Sequence, residues 1–173
     1  IRLDHRLSEH WELQLLGRVG IRRYNDPFAH RDTLLWRVGP HLLYHVNHHA
    51  RVILGYHYEQ GLAEGRHEIE FHDDVSYRHH FASIGLEMDL LEHLELELDF
   101  HYERNNFTTN DSEDERFGGH ENIFIGSGRL SLQVTDHAAL TLTVQRSNRN
   151  QNFHQTHDHN TNVSLGMLFG FDC

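Results

Sequence analysis

The sequence predicts an all-β fold, an antiparallel up-and-down transmembrane β-barrel with about nine strands visible. Three observations predict it. Apolar and polar residues alternate through segments of about 11 to 15 residues, roughly twice the length of an ordinary strand. The apolar ladders run to both ends of these segments. Trp or Tyr sits near those ends (Trp11, Trp36, Tyr24, Tyr44, Tyr56, Tyr58, Tyr102), where a bilayer interface favours amphipathic rings. Only a closed barrel lets such strands meet lipid with every backbone amide paired.

In chain order the strands are read as a partial segment 1–7, then 11–24, 32–45, 51–61, 76–90, 94–105, 121–134, 139–149 and 161–171. The first full strand sets Trp11, Leu13, Leu15, Val19 and Ile21 against Glu12, Gln14, Arg18 and Arg22. The next sets Leu34, Trp36, Val38, Leu42 and Tyr44 against Thr33, Arg37, His41 and His45. Strand 76–90 opposes Ile84, Leu86, Met88 and Leu90 to Ser83, Glu87 and Asp89; strand 94–105 opposes Leu94, Leu96, Leu98, Phe100 and Tyr102 to Glu95, Glu97, Asp99, His101 and Glu103. Strands 121–134 and 139–149 continue with Leu130, Leu132, Leu140, Leu142 and Val144 on one side and Arg129, Ser131, Thr141 and Thr143 on the other. A period of two excludes a helix face, whose repeat is 3.6.

Short polar breaks ending in His10, His49, His93 and His137 recur at intervals of about 40 to 44 residues. Between them lie longer polar segments, Asn25 to Arg31, Gly61 to Val75, Asn105 to His120 and Asn148 to Asn160, with loop composition. The rhythm is tight turn, long strand, wide loop, long strand. A propeller blade has a similar repeat but packs four short strands into it. A sheet with one wet face also alternates, and a lipocalin-like barrel keeps its apolar residues inside. Against both stand the strand lengths and the aromatic ends.

Composition removes other classes. A net charge of -11 over 173 residues excludes a nucleic-acid binder recruited by charge. No apolar run approaches the roughly 18 residues of a membrane helix. The one cysteine, Cys173, excludes an intramolecular disulfide and every multi-cysteine zinc motif. No basic and apolar leader opens the chain at Ile1. Residues 1–173 read as one barrel domain.

The last strand, Ser164-Leu165-Gly166-Met167-Leu168-Phe169-Gly170-Phe171, resembles the C-terminal signal of bacterial outer-membrane β-barrel proteins, although Asp172 and Cys173 follow the aromatic. The turns in LSEHWELQL and VTDHAALTL, and the exit Gln145-Arg146-Ser147-Asn148, are similar to porin families of the β-barrel porin-2 kind. The resemblance implies an outer-membrane location in a Gram-negative bacterium, with tight turns periplasmic and wide loops outside; since such barrels start in the periplasm with an even number of strands and strand 1–7 runs toward a periplasmic turn, it also implies at least one further strand ahead of Ile1, giving ten or more. It implies outer-membrane lipid and the barrel assembly machinery as partners, with other subunits also possible partners.

On a barrel the polar ladder points inward. The residues expected to line the lumen are Arg18, Arg22, Arg37, Glu87, Asp89, Glu95, Glu97, Asp99, His101, Glu103 and Arg129, with Arg2 and Arg6 beside them. In a narrow bore these charges pair and fill it; in a wide one they set a field that selects solutes. Metal candidates are the loop histidines His154, His157 and His159 with Asp158, and His67 and His72 with Asp73 and Asp74, because imidazole suits divalent transition metals. No HExxH or other rigid spacing supports them. The pairs His101 with Glu103 and Ser83 with His79 are the candidate catalytic partners, but no ordered nucleophile emerges and no cofactor motif occurs. The expected function is a passive porin-like channel or the membrane part of an export or surface assembly, without enzymatic activity. The alternatives are an outer-membrane barrel enzyme or adhesin working through its loops, and a soluble ligand-binding barrel.

Overall fold

Each alternating segment of the sequence is a strand in the computed structural model, which describes residues 1–67, 72–154 and 156–169. The strands are β1 (Arg2–Arg6), β2 (Trp11–Arg22), β3 (Thr33–Asn47), β4 (Ala50–Ala63), β5 (Tyr77–Leu91), β6 (Leu94–Phe107), β7 (His120–Thr135), β8 (Ala138–Gln151) and β9 (Thr156–Phe169). Two short 3-10 turns, Ala29–Arg31 and Glu64–His67, sit in the wide loops. Gly170, Phe171, Asp172 and Cys173, which carry the end of the C-terminal signal, and the side chain of His67 lie outside the described residues.

The registers keep like with like, as a buried or charged face demands. Met88, Leu96, Leu130, Leu142 and Leu165 form one continuous apolar row through β5 to β9. Arg37, Glu59, His79, Asn105, Glu121 and Gln151 form a polar row on the opposite face from β3 to β8.

The sheet is open, which corrects the predicted closed barrel. Its order is β1-β2-β3-β4-β5-β6-β7-β8-β9, each strand bonded to its neighbours in sequence, with β1 and β9 at opposite edges. An odd-numbered meander leaves its outer strands running in the same direction, so they cannot meet as an antiparallel pair. The pairing of β1 with β2 runs from Arg6 opposite Glu12 to Arg2 opposite Leu16, and Ile1 and Gly17 exchange backbone hydrogen bonds beyond it. Alternation specifies two different faces and does not specify closure.

The channel, the resemblance to porins and the outer-membrane location fall with it. An open sheet encloses no bore, and in hydrocarbon its two edges would hold unpaired backbone groups at several kcal/mol each. Among the described residues no helix is long and apolar enough to cross a membrane.

The repeating histidines have a backbone explanation. The carbonyl of His10 accepts from the amide of His45, that of His49 from Asp89, and that of His93 from Gln133. Each of these three histidines thus extends the ladder to the next hairpin, and the repeat unit is one hairpin. The tight turns are fixed by side-chain acceptors: Ser8 Oγ takes the amides of His10 and Trp11, Asn47 Oδ1 that of His49, and Thr135 Oγ1 that of His137. A register shift precedes three of them, at His45/Asn47, Asp89/Leu91 and Gln133/Thr135.

Strand ends fall within two residues of expectation except at β9, which starts at Thr156 rather than 161. Thr156 to Asn160 have loop composition, yet they pair with Gln151 back to Ser147 on β8. Tertiary pairing overrides composition there.

Candidate functional site

All the residues expected to line a lumen share one face of the sheet, set by the cross-strand registers. On that face Arg18 of β2 lies opposite Arg37 of β3, and Glu87 and Asp89 of β5 lie opposite Glu97 and Glu95 of β6. Arg51, Glu87, Glu97 and Arg129 lie in one row, with Arg51 bonded to Glu87 and Arg129 Nη1 3.2 Å from Glu97. The two acids that face each other are therefore bracketed by cations. Further along, Arg37 Nε donates to Glu59 at 2.8 Å and the Tyr77 hydroxyl donates to the same carboxylate at 2.6 Å. His79 lies 3.2 Å from Glu103, and Arg149 and Gln151 both donate to Glu121.

Glycine makes this face compact. A Cβ on Gly61 would stand 2.4 Å from the Tyr77 ring, and one on Gly55 2.4 Å from Ser83 Oγ. The missing side chain of one strand is the space into which its neighbour leans. Tyr77 reaches Glu59 through that gap.

Electrostatics follow from this packing. Burial alone would raise Glu59, but the hydrogen bonds from Tyr77 and Arg37 outweigh it and hold the carboxyl below its usual range. Burial, then the bond to Glu59 and its charge, push Tyr77 up to about 12. Glu103 is lowered chiefly by its bond from His79.

Below this cluster runs a ribbon of rings. His41 Nε2 and His57 Nε2 are 2.7 Å apart; His57 stacks on Phe81 at 5.2 Å, and Phe81 meets His101 at 5.4 Å. Burial, then the nearby His41 and Arg37, push His57 down to about 4. The pair is held by one proton, donated by one ring to the other's bare nitrogen. His101 Nδ1 and Asn105 Oδ1 are buried without partners.

A second cluster forms where three wide loops meet. Asp73 accepts from Arg31 Nε at 2.5 Å and Arg116 Nη1 at 2.9 Å, and its Oδ2 lies 2.9 Å from His30 Nε2. Burial opposes ionisation of Asp73, but the donors Arg31 and His30, with Arg116 behind them, lower it. His72 Nδ1 lies 2.5 Å from Asp111 and its Nε2 3.2 Å from Glu113. The bond to Asp111 raises the imidazole; Asp111 is lowered first by the backbone amide of Glu113 and then by His72. Asp114 takes the amide of Asp74 at 2.7 Å.

No family model matches this chain, and no curated protein is similar to it. Its chemistry has to be read from its own residues.

The loop residues singled out as metal candidates are engaged otherwise. His72, Asp73 and Asp74 tie loops together. His157 and His159 pair with Asn150 and Asn148 along the β8–β9 ladder, and His154 lies against Phe153. No group of three His, Cys, Asp or Glu placed to hold a metal ion exists among the described residues. The candidate catalytic pairs are also separated: Glu103 binds His79 rather than His101, and Ser83 and His79 are about 13 Å apart along one strand. The clamp on Asp73 and the Tyr77–Glu59–Arg37 cluster were missed in the sequence. Cross-strand registers would have shown the second, since Arg37 falls opposite Glu59; loop contacts leave no periodic signal.

Proposed function

We propose that this chain is a non-catalytic β-sheet assembly module, whose apolar face and outer edge are surfaces for other polypeptide. The observation that carries this is the apolar face. Leu15, Val19, Leu34, Leu98, Phe100 and Leu142 are all exposed on it, and among the described residues the buried apolar side chains are few: Leu35, Leu43, Ala63 and Tyr77. A sheet that is oily on one face reaches a stable arrangement only when a second layer covers it. A hollow of about 350 Å³ between Val52, Ile84, Leu86, Leu98 and Phe100 would take apolar side chains of such a layer. The charged face, by contrast, satisfies most of its charges within itself, and among the described residues it holds no ordered nucleophile with its base.

Sedimentation and light scattering of the purified chain in detergent-free buffer test this. The expected result is an assembly heavier than the 20.4 kDa chain, converted to smaller species when Leu98 and Phe100 are both replaced by Glu. A monodisperse 20.4 kDa species that binds no hydrophobic dye would overturn the reading.

A further inference from the structure

We propose that β9 is a dimerisation edge, at which two copies of this chain pair antiparallel about a two-fold axis through Leu165. The proposal rests on the assembly reading above and names its partner. All fourteen residues of β9 are exposed, and β9 is bonded on one side only, to β8. Edges that stay single are blunted by Lys, Pro, inward charges or shortness. β9 has none of these: Thr156 to Phe169 contains no Lys, Arg or Pro, and its one charge, Asp158, lies opposite Arg149 near the loop end. The other edge strand, β1, carries the charges Arg2, Asp4 and Arg6 within its five described residues, the kind of side chains that blunt an edge.

The partner's identity comes from the pattern along β9. On the apolar face the strand runs His157, His159, Thr161, then Val163, Leu165, Met167 and Phe169; Val163 is 67% and Leu165 79% exposed. A second β9 placed with Leu165 opposite Leu165 sets Val163 opposite Met167 and Thr161 opposite Phe169, so apolar half meets apolar half over residues 161–169. An axis through Val163 would instead set Met167 against His159 and Phe169 against His157. A slip of one residue would turn one copy's apolar face to the other's polar face. Joining β9 to β1 of another copy by translation would make a parallel pair, weaker per residue than an antiparallel one. A two-fold contact is also self-limiting, because the patch that binds is the patch that is bound.

Cysteine cross-linking tests the register in the full chain with Cys173→Ser as background. Leu165→Cys should give a covalent dimer under mild oxidation. Val163→Cys alone should not, because the two Val163 residues stand four residues apart along the pair, about 13 Å, beyond the roughly 7 Å that a disulfide spans. Mixing Val163→Cys with Met167→Cys should restore the cross-link. Leu165→Lys should weaken dimerisation at least tenfold with the circular dichroism of the folded chain unchanged, since Leu165 is already 79% exposed. Equal cross-linking by Val163→Cys and Leu165→Cys would overturn the register. If no variant cross-links and Leu165→Lys leaves the assembly mass unchanged, the edge proposal fails while the apolar face remains the assembly surface. A wild-type chain that is monomeric in buffer would remove both.

Discussion

Tyr77, Glu59 and His57 show how a few side chains decide the response of this sheet to pH. His57 is held down to about 4, whereas an unfolded chain takes up its proton near the ordinary value of about 6.5. Between those limits the unfolded state binds more protons, so stability falls as the solution is acidified. We expect the melting temperature to drop from pH 6.5 to pH 4, and His57→Phe, which keeps a ring against Phe81, to flatten that limb; parallel curves for the two proteins would refute it. Glu59 acts at lower pH, because a depressed carboxyl contributes above its unfolded pKa and loses that contribution as pH falls through the folded one. At the alkaline end Tyr77, raised to about 12, contributes fully below its unfolded value near 10 and loses it as pH climbs towards 12. Tyr77→Phe removes one donor from a buried carboxylate that Arg37 still holds, so urea unfolding should show a loss of about 1.5–3 kcal/mol.

The wide loops behave as one element because Asp73 joins them. It is mostly buried, and Arg31, His30 and Arg116 reach it from two other loops. Asp73→Asn keeps the shape and removes the charge that three donors face. Hydrogen exchange should therefore quicken in residues 23–32, 72–76 and 108–119 while the strands keep their protection, and exchange unchanged in those loops would show the clamp to be idle. This element was invisible in the sequence for a physical reason. Strands declare themselves through a period of two, and Leu94 to Phe107 could be assigned face by face from that period alone. Loop contacts between residues some 40 apart have no period. The metal reading of His72, Asp73 and Asp74 followed from composition, whereas geometry made each of them a partner of another loop. Closure failed for a related reason, since each ladder records which face a residue takes and carries nothing about whether β1 meets β9.

At the scale of the molecule, a meander in which every strand touches only its sequence neighbours is close to a one-dimensional array. In such arrays stability is a sum of strand terms and neighbour interfaces, and the ends open first. The central strands β4 to β6 have partners on both sides; β9 pairs only with β8, and β1 only with β2. Amide exchange at dilutions where the chain is single should thus be slowest in β4 to β6 and rise outwards, with β9 and β1 fastest. At high concentration the order should change at one end only. Residues 161–169 of β9 should slow at least tenfold as a second β9 takes their outward amides, while β1, which carries Arg2, Asp4 and Arg6, stays fast. Uniform protection across all nine strands would mean the sheet opens as a single cooperative unit, and equal slowing at both edges would mean that assembly draws on more than β9.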